Sequence, residues 1–357
     1  MPSGEMSITI GHSNKMRGVC WVGGDSVVAH NFDDLSFNHI DWISQTPFGW
    51  QPHHDQPELR TVGDRGYWGE RDAGILETTR LAKKQRIRTI LKPHIWLHTR
   101  SGKWRADIEM RSKEEWEQWF CNYTDFIMHY ADVAEQASIE VLCIGTELYH
   151  PAVKFPDRWR QIVSMIREVY SGKLTYAANF DREFQEIIWW DALDYIGIQA
   201  YFPLSSSTPP TIKELRNGWK PHVKKIESVA AAYDMQVVFT ELGYRNDVRA
   251  AKEPWLWPHV IENQLDEHSD EVQALCYKAF FEECWSQTWL AGTFFWKWHH
   301  SSWKHRSYNE MLQARRYRLD SLVASGKRSP EAKLRPIGFT PQNKPAQEVM
   351  KKYFSRK

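Results

Sequence analysis

Eight short apolar runs recur along the chain, at residues 17–22, 39–46, 88–92, 140–146, 174–178, 195–199, 236–240 and 291–295. Stretches with helical spacing separate and follow them, at 25–37, 72–85, 112–136, 157–170, 183–190, 212–233, 270–286 and 346–353. Strands that alternate with helices predict a parallel sheet. Eight such units, with no low-complexity linker between them, predict an α/β fold closed as a (β/α)₈ TIM barrel. A doubly wound sheet would need a glycine-rich phosphate turn after the first strand, and Gly23-Gly24 is too little for one. Barrels of this kind commonly run well beyond an average domain length, so 357 residues are read as a single barrel domain over 17–357. Residues 1–16 are read as an N-terminal extension. Residues 299–338, rich in Arg and Lys, are read as a loop insertion near the eighth strand. The stretch 48–69 reads as a loop. Ser112 and Glu115 have capping-box spacing, and Trp116, Trp119, Phe120, Tyr123 and Ile127 mark the core face of the helix that follows.

Charge balance removes several classes of function. With 46 basic and 45 acidic residues the formal net charge is +1, so there is no electrostatic footprint for nucleic acid or an anionic membrane. No apolar run reaches transmembrane length. The first sixteen residues hold no signal-peptide core, which at face value predicts a cytoplasmic protein; a secreted chain already trimmed of its leader would look the same. Cys20, Cys121, Cys143, Cys276 and Cys284 make an odd, scattered set, better suited to reduced, buried thiols than to a disulfide framework. The outlier is tryptophan, with 19 residues. Its flat apolar face and polar edge suit a sugar ring, and Trp50, Trp96, Trp296 and Trp298 all fall just after strands. Core packing is the alternative for each.

In an α/β barrel, chemistry collects at the C-terminal ends of the strands. Glu147 closes the fourth apolar run and Glu241 the seventh. A barrel spends roughly 31 residues per unit, so the interval between them is close to three units, and the two carboxyls can face each other across one mouth. A charged group at the tip of an apolar strand needs a partner or a task. Two facing carboxyls suit double displacement at a sugar, with about 5–5.5 Å between them for retention. Glu241 is then the nucleophile and Glu147 the acid/base. Tyr201 can hold Glu241 by a hydrogen bond. Lys92, His94 and Asn179 can bond sugar hydroxyls, and Trp96 and Trp296 can stack on sugar rings. Tyr149 and Asp181 also fall after strands.

The segments 91–96 (Leu-Lys-Pro-His-Ile-Trp), 144–148 (Ile-Gly-Thr-Glu-Leu), 194–201 (Asp-Tyr-Ile-Gly-Ile-Gln-Ala-Tyr), 239–244 (Phe-Thr-Glu-Leu-Gly-Tyr) and 295–298 (Phe-Trp-Lys-Trp) together resemble glycoside hydrolase family 113. The similarity runs from about Arg17 to Tyr353. It implies a retaining β-1,4-mannanase-like barrel acting on mannan or manno-oligosaccharides, with the acid/base at Glu147 and the nucleophile at Glu241. No metal or organic cofactor is implied. Many members of the wider clan carry Asn before the acid/base, where this chain has Thr146. The insertion at 299–338 borders the expected cleft and bears on endo versus exo action.

Other signals are weaker. His299, His300 and His305 match no strong metal-ligand spacing, and His53, His54 and Asp55 are read as loop residues. The run Arg315-Arg316-Tyr317-Arg318 reads as a solvated helix face. Ser205–Ser207 lack the glycines of a nucleophile elbow. A catalytically silent sugar-binding barrel, a retaining enzyme for another β-linked glycan, and a metal-dependent hydrolase stay open as alternatives from sequence.

Overall fold

In the computed structural model, residues 15–61, 66–97, 102–257, 268–300, 317, 320–326 and 337–356 are described. Most of the expected insertion, His305, nearly all of the N-terminal extension and three of the four residues of the basic run 315–318 lie outside them.

Eight parallel strands close into a barrel. They are β1 (Met16–Val22), β2 (Trp42–Gln45), β5 (Arg88–Leu91), β7 (Val141–Thr146), β8 (Lys173–Asn179), β9 (Tyr195–Gln199), β10 (Val237–Leu242) and β11 (Leu290–His299). β11 pairs with both β10 and β1, and so closes the ring. Three short strands, β3 (Phe48–Gln51), β4 (Arg60–Thr61) and β6 (His94–Leu97), form a small second sheet at the exits of β2 and β5. Part of the expected 48–69 loop is therefore paired strand. Pro47 and Pro93 interrupt the barrel strands, because proline has no N–H to give a ladder, and the chain resumes pairing beyond each of them.

Helices wrap the outside. The helix Lys113–Gln136 starts where expected, and Ser112 Oγ accepts from the Glu115 N–H. The Glu115 carboxylate turns to the Arg111 N–H instead of closing the box. The helix Ile212–Tyr233 has a complete box from Thr211 and Glu214. The expected helix at 25–37 shrinks to a 3-10 turn and the five residues Asp33–Phe37, and that at 183–190 to Glu183–Glu186. Trp119, Trp159, Trp189, Trp190, Trp219 and Trp298 are fully buried. Trp298 is thus a core residue, not a sugar platform. Four cysteines are buried, whereas Cys121 is exposed on the helix Lys113–Gln136. Among the described residues, no helix is long and apolar enough to cross a membrane.

The two glutamate-bearing strands depart from regular pairing at their ends. On β10, Val238 faces the barrel interior with Cys20, Ile90 and Val141, while Phe239 packs outward against Trp219 and Phe280. Strict alternation would turn Glu241 outward as well. Phe239 pairs with Ile198 but Glu241 with Gln199, so one extra residue is inserted. This bulge resets the alternation and turns Glu241 inward. A similar shift lies between Cys143 and Thr146 on β7. Gly145 permits it, since a Cβ there would stand 2.6 Å from the Tyr176 ring. Glu147 follows with φ 52°, in the left-handed region that a side chain other than glycine seldom adopts. Such strain persists where the surroundings over-determine it.

Candidate active site

Glu147 and Glu241 open into one cavity of about 510 Å³ at the C-terminal mouth of the barrel. Both are buried, and each is held from several directions.

Glu241 takes three neighbours. The Lys92 ammonium donates to Oε1, and also to the Thr240 carbonyl at 3.2 Å. The Tyr201 hydroxyl donates to Oε2 at 2.6 Å. Burial, and then the carboxylate beside it, pushes the Tyr201 phenol well above its usual range, so it stays a donor. His94 Nε2 stands 3.6 Å from Oε1, too far for a hydrogen bond. Burial holds the His94 imidazole well below its usual range, with Arg105 and Lys92 acting in the same direction, so the ring is neutral. Its Nδ1 lies 3.1 Å from Arg105 Nη1. Arginine only donates, so Nδ1 accepts and the ring proton sits on Nε2, the side facing Glu241.

Glu147 is ringed by three donors. Asn179 Nδ2 reaches Oε1 at 2.7 Å, while Arg105 Nε and Trp104 Nε1 reach Oε2 at 3.2 and 3.3 Å. Asn179 Oδ1 accepts from the Asp181 N–H, which fixes the amide with its NH₂ toward Glu147. Behind it, buried Glu183 accepts from the Asn179 N–H and the Tyr176 hydroxyl, and that hydroxyl accepts from the Leu148 N–H. Burial pushes the Glu183 carboxyl up to about 8. The network therefore ties the backbone just after Glu147 to that of Asn179.

Aromatic rings line the rest. Trp296 lines the cavity, and its ring centroid is 5.9 Å from the Lys92 ammonium. Trp96 is edge-on to Trp104 and Trp257, and Phe180 stacks on the exposed Trp255. Buried Arg245 pins the segment that carries Trp255 and Trp257. It pairs with Asp247 at 2.7 Å and donates to the Glu253 and Leu256 carbonyls at 2.8 Å.

Of the residues expected from sequence, Glu147, Glu241, His94, Trp96, Asn179, Tyr201 and Trp296 line this one cavity. Lys92 does not. It was expected to bond sugar hydroxyls, but it is fully buried behind Glu241 and its ammonium is spent on that carboxylate. The reason is register: Ile90 faces the barrel interior, and two residues on Lys92 faces it too. Trp50 is exposed on β3, outside the cavity lining. Arg105, Trp104, Trp255 and Trp257 escaped the sequence reading. They lie on loops and short turns, where no periodicity marks them. Among the described residues no group of three metal-ligating side chains converges.

Breaking a buried ion pair by removing one partner typically costs about 3–5 kcal/mol, and losing a preorganised charge in a dry site typically costs on the order of 10²-fold in rate. Lys92→Met should therefore lower both the melting temperature and kcat/KM. Initial rates taken well below the variant's own melting temperature separate the two effects. A wild-type kcat in the folded variant would show that the ammonium is dispensable.

A family model described as Glycoside Hydrolase Family 113 matches residues 24–319. The β-mannanase AaManA of that family from Alicyclobacillus acidocaldarius, solved with ManMIm, superposes with a TM-score of 0.75 at 24% identity, covering 97% of this chain and 98% of its own. A family 113 β-1,4-mannanase solved as a complex gives 0.73 at 22% identity, with coverage of 96% and 100%. A β-glucuronidase from Ruminococcus gnavus, solved with D-glucaro 1,5-lactone, gives 0.55 at 12% identity, over 79% of this chain and 43% of that one. These likenesses show a shared fold. Of the curated proteins, none matches the chain in sequence.

Proposed function

The chain belongs to glycoside hydrolase family 113 and is a glycosidase, and we propose that it cleaves β-1,4-mannosidic bonds in mannan or manno-oligosaccharides with retention of anomeric configuration. The observation that carries this reading is the placement of Glu147 and Glu241 in one aromatic-lined cavity, each held by its own set of donors. The mannanases among its structural relatives support the choice of sugar. We take residues 17–357 as one catalytic barrel, with 1–16 as an extension and 299–338 as an insertion.

The reaction runs in two steps. A Glu241 carboxylate oxygen bonds to the anomeric carbon, the glycosidic C–O bond breaks, and the Glu147 proton passes to the leaving oxygen. Water then attacks the same carbon, Glu147 takes its proton, and the bond to Glu241 breaks. Lys92 and Tyr201 hold the attacking carboxylate in one rotamer. Trp296 supports the sugar face, and its aromatic neighbours exclude water, which strengthens every charge interaction inside. His94, neutral and with a proton on Nε2, offers a donor beside Glu241. Lys92 acts only through Glu241 and is a positioning residue.

A panel of β-mannan, β-glucan, xylan and their oligosaccharides, with product sizing, tests the sugar and the mode of action together. Mannan should release reducing ends steadily, which a silent sugar-binding barrel would not do. Proton NMR of early products should show the β-anomer first. An α-anomer first would overturn retention. Turnover of glucan or xylan with mannan untouched would overturn the sugar.

A further inference from the structure

Glu183 is a third buried carboxyl near the catalytic pair, and it lies outside their cavity. It is 1% exposed, and neither it nor Tyr176 lines the cavity. On β8, Ala177 faces the barrel interior, so Tyr176 points into the layer between barrel and helices. There its ring packs edge-on to Trp159, Trp189 and Trp190, and Gly145 leaves the room it needs. Glu183 opens the short helix Glu183–Glu186, four residues after Asn179 ends β8. Its Oε1 accepts from the Tyr176 hydroxyl at 2.5 Å and its Oε2 from the Asn179 N–H at 2.7 Å. Among the described residues, no lysine or arginine is paired with it.

A carboxylate buried without a counter-ion is costly, and a well-packed apolar side chain would serve stability better. What Glu183 adds is the connection between its two donors, and each of them leads to Glu147. The Tyr176 oxygen accepts from the Leu148 N–H at 2.7 Å, which commits its own proton to Glu183. Asn179 is held at its N–H by Glu183 and at Oδ1 by the Asp181 N–H, and its Nδ2 is left to reach Glu147 Oε1 at 2.7 Å. Glu147 itself stands at φ 52°, with its N–H on the Ala177 carbonyl at 2.9 Å. A left-handed residue of this kind is kept by its surroundings. Glu183 secures both the N–H that follows Glu147 and the amide that bonds its carboxyl.

Resting on the acid/base reading above, we propose that Glu183 is a positioning residue for proton transfer: through Tyr176 and Asn179 it aims the Glu147 carboxyl at the glycosidic oxygen. It touches no substrate, so its removal should weaken only the step that needs the proton. The test compares phenyl β-mannoside, whose leaving group needs that proton, with 4-nitrophenyl β-mannoside, whose leaving group does not. Wild type, Glu183→Gln, Tyr176→Phe and Glu147→Ala are measured on both, with the corresponding gluco pair in parallel. Glutamine offers one acceptor oxygen for two donors, and phenylalanine keeps the ring packing while removing the link. A misplacement of about 1 Å can cost on the order of 10²-fold. The ratio of kcat/KM, 4-nitrophenyl over phenyl, should therefore rise about tenfold or more in both variants, toward the value in Glu147→Ala. The ratio is taken within one preparation, so a general loss of folded enzyme cancels, and Tyr176→Phe carries the test if Glu183→Gln does not fold. A ratio within about threefold of wild type in either folded variant overturns the proposal, including the case where both substrates slow in parallel. An unchanged ratio in Glu147→Ala would instead defeat the acid/base assignment, and the proposal with it. Cleavage of the gluco pair alone would defeat the mannan reading, while the ratio would still be read on that pair.

Discussion

Glu241→Ala should abolish hydrolysis of every substrate, activated aryl glycosides included, with kcat falling on the order of 10⁴-fold or more. The loss follows from bond-making. On the proposed roles, the first step needs an oxygen to bond the anomeric carbon from the face opposite the leaving group. A better leaving group weakens the bond that breaks but supplies no atom for the one that forms. The environment of Glu241 strengthens the expectation. Lys92, Tyr201 and His94 all converge on this carboxylate, and an alanine would leave the Lys92 ammonium facing a void. Glu241→Gln is the companion variant, because it keeps the volume and an oxygen for Tyr201 while removing the nucleophile. The loss should be of similar size. Rates on 4-nitrophenyl β-mannoside and on manno-oligosaccharides, read against thermal melts of both variants, check this. A rate within tenfold of wild type on either substrate would remove Glu241 from the reaction.

The barrel was legible because alternating apolar runs and helices leave few ways to bury both faces of a parallel sheet. Both carboxylates were legible for a related reason: an ionisable residue at the tip of an apolar run is conspicuous. The mechanism that turns them inward was not. Glu241 reaches the cavity through an inserted residue on β10, and the pairing of Phe239 with Ile198 and of Glu241 with Gln199 becomes visible only when the partner strand is in place. Lys92 stands out in the sequence by its charge and its position after a strand, but its target depends on how far the side chain reaches across the barrel. Its alternation with Ile90 predicts an inward direction, not an end point. Arg105 is the clearest gap. It binds both Glu147 and His94, yet it sits in a short 3-10 turn inside a long loop, where neither period nor propensity singles out one residue. Trp298 failed in the opposite sense: it follows a strand and looks like a platform, but β11 extends through His299 and buries it.

Glu147→Ala should behave differently from any nucleophile variant, and the contrast identifies the acid/base. Protonation of the leaving oxygen contributes about 10²–10⁴-fold where the leaving group is a poor one. Hydrolysis of unactivated manno-oligosaccharides should therefore fall by about 10³-fold. A 4-nitrophenolate leaves without help, so the first step should survive on the aryl glycoside. The second step, lacking a base to activate water, should then limit turnover and produce a burst of nitrophenolate. Azide needs no base. The cavity left by the side chain should also receive it, because Asn179 Nδ2, Arg105 Nε and Trp104 Nε1 all point at the place the carboxylate leaves, and these donors suit a small anion. Added azide should raise the steady-state rate of Glu147→Ala on the aryl glycoside and yield a β-glycosyl azide, whereas in Glu241→Ala azide standing in for the lost carboxylate beside Lys92 and Tyr201 should yield the α-azide by a single displacement. Stopped-flow absorbance and product NMR read both outcomes. Full activity of Glu147→Ala on unactivated oligosaccharides would end its assignment as proton donor. An α-azide from Glu147→Ala would move the nucleophile's role away from Glu241, because one displacement by azide would then have replaced two.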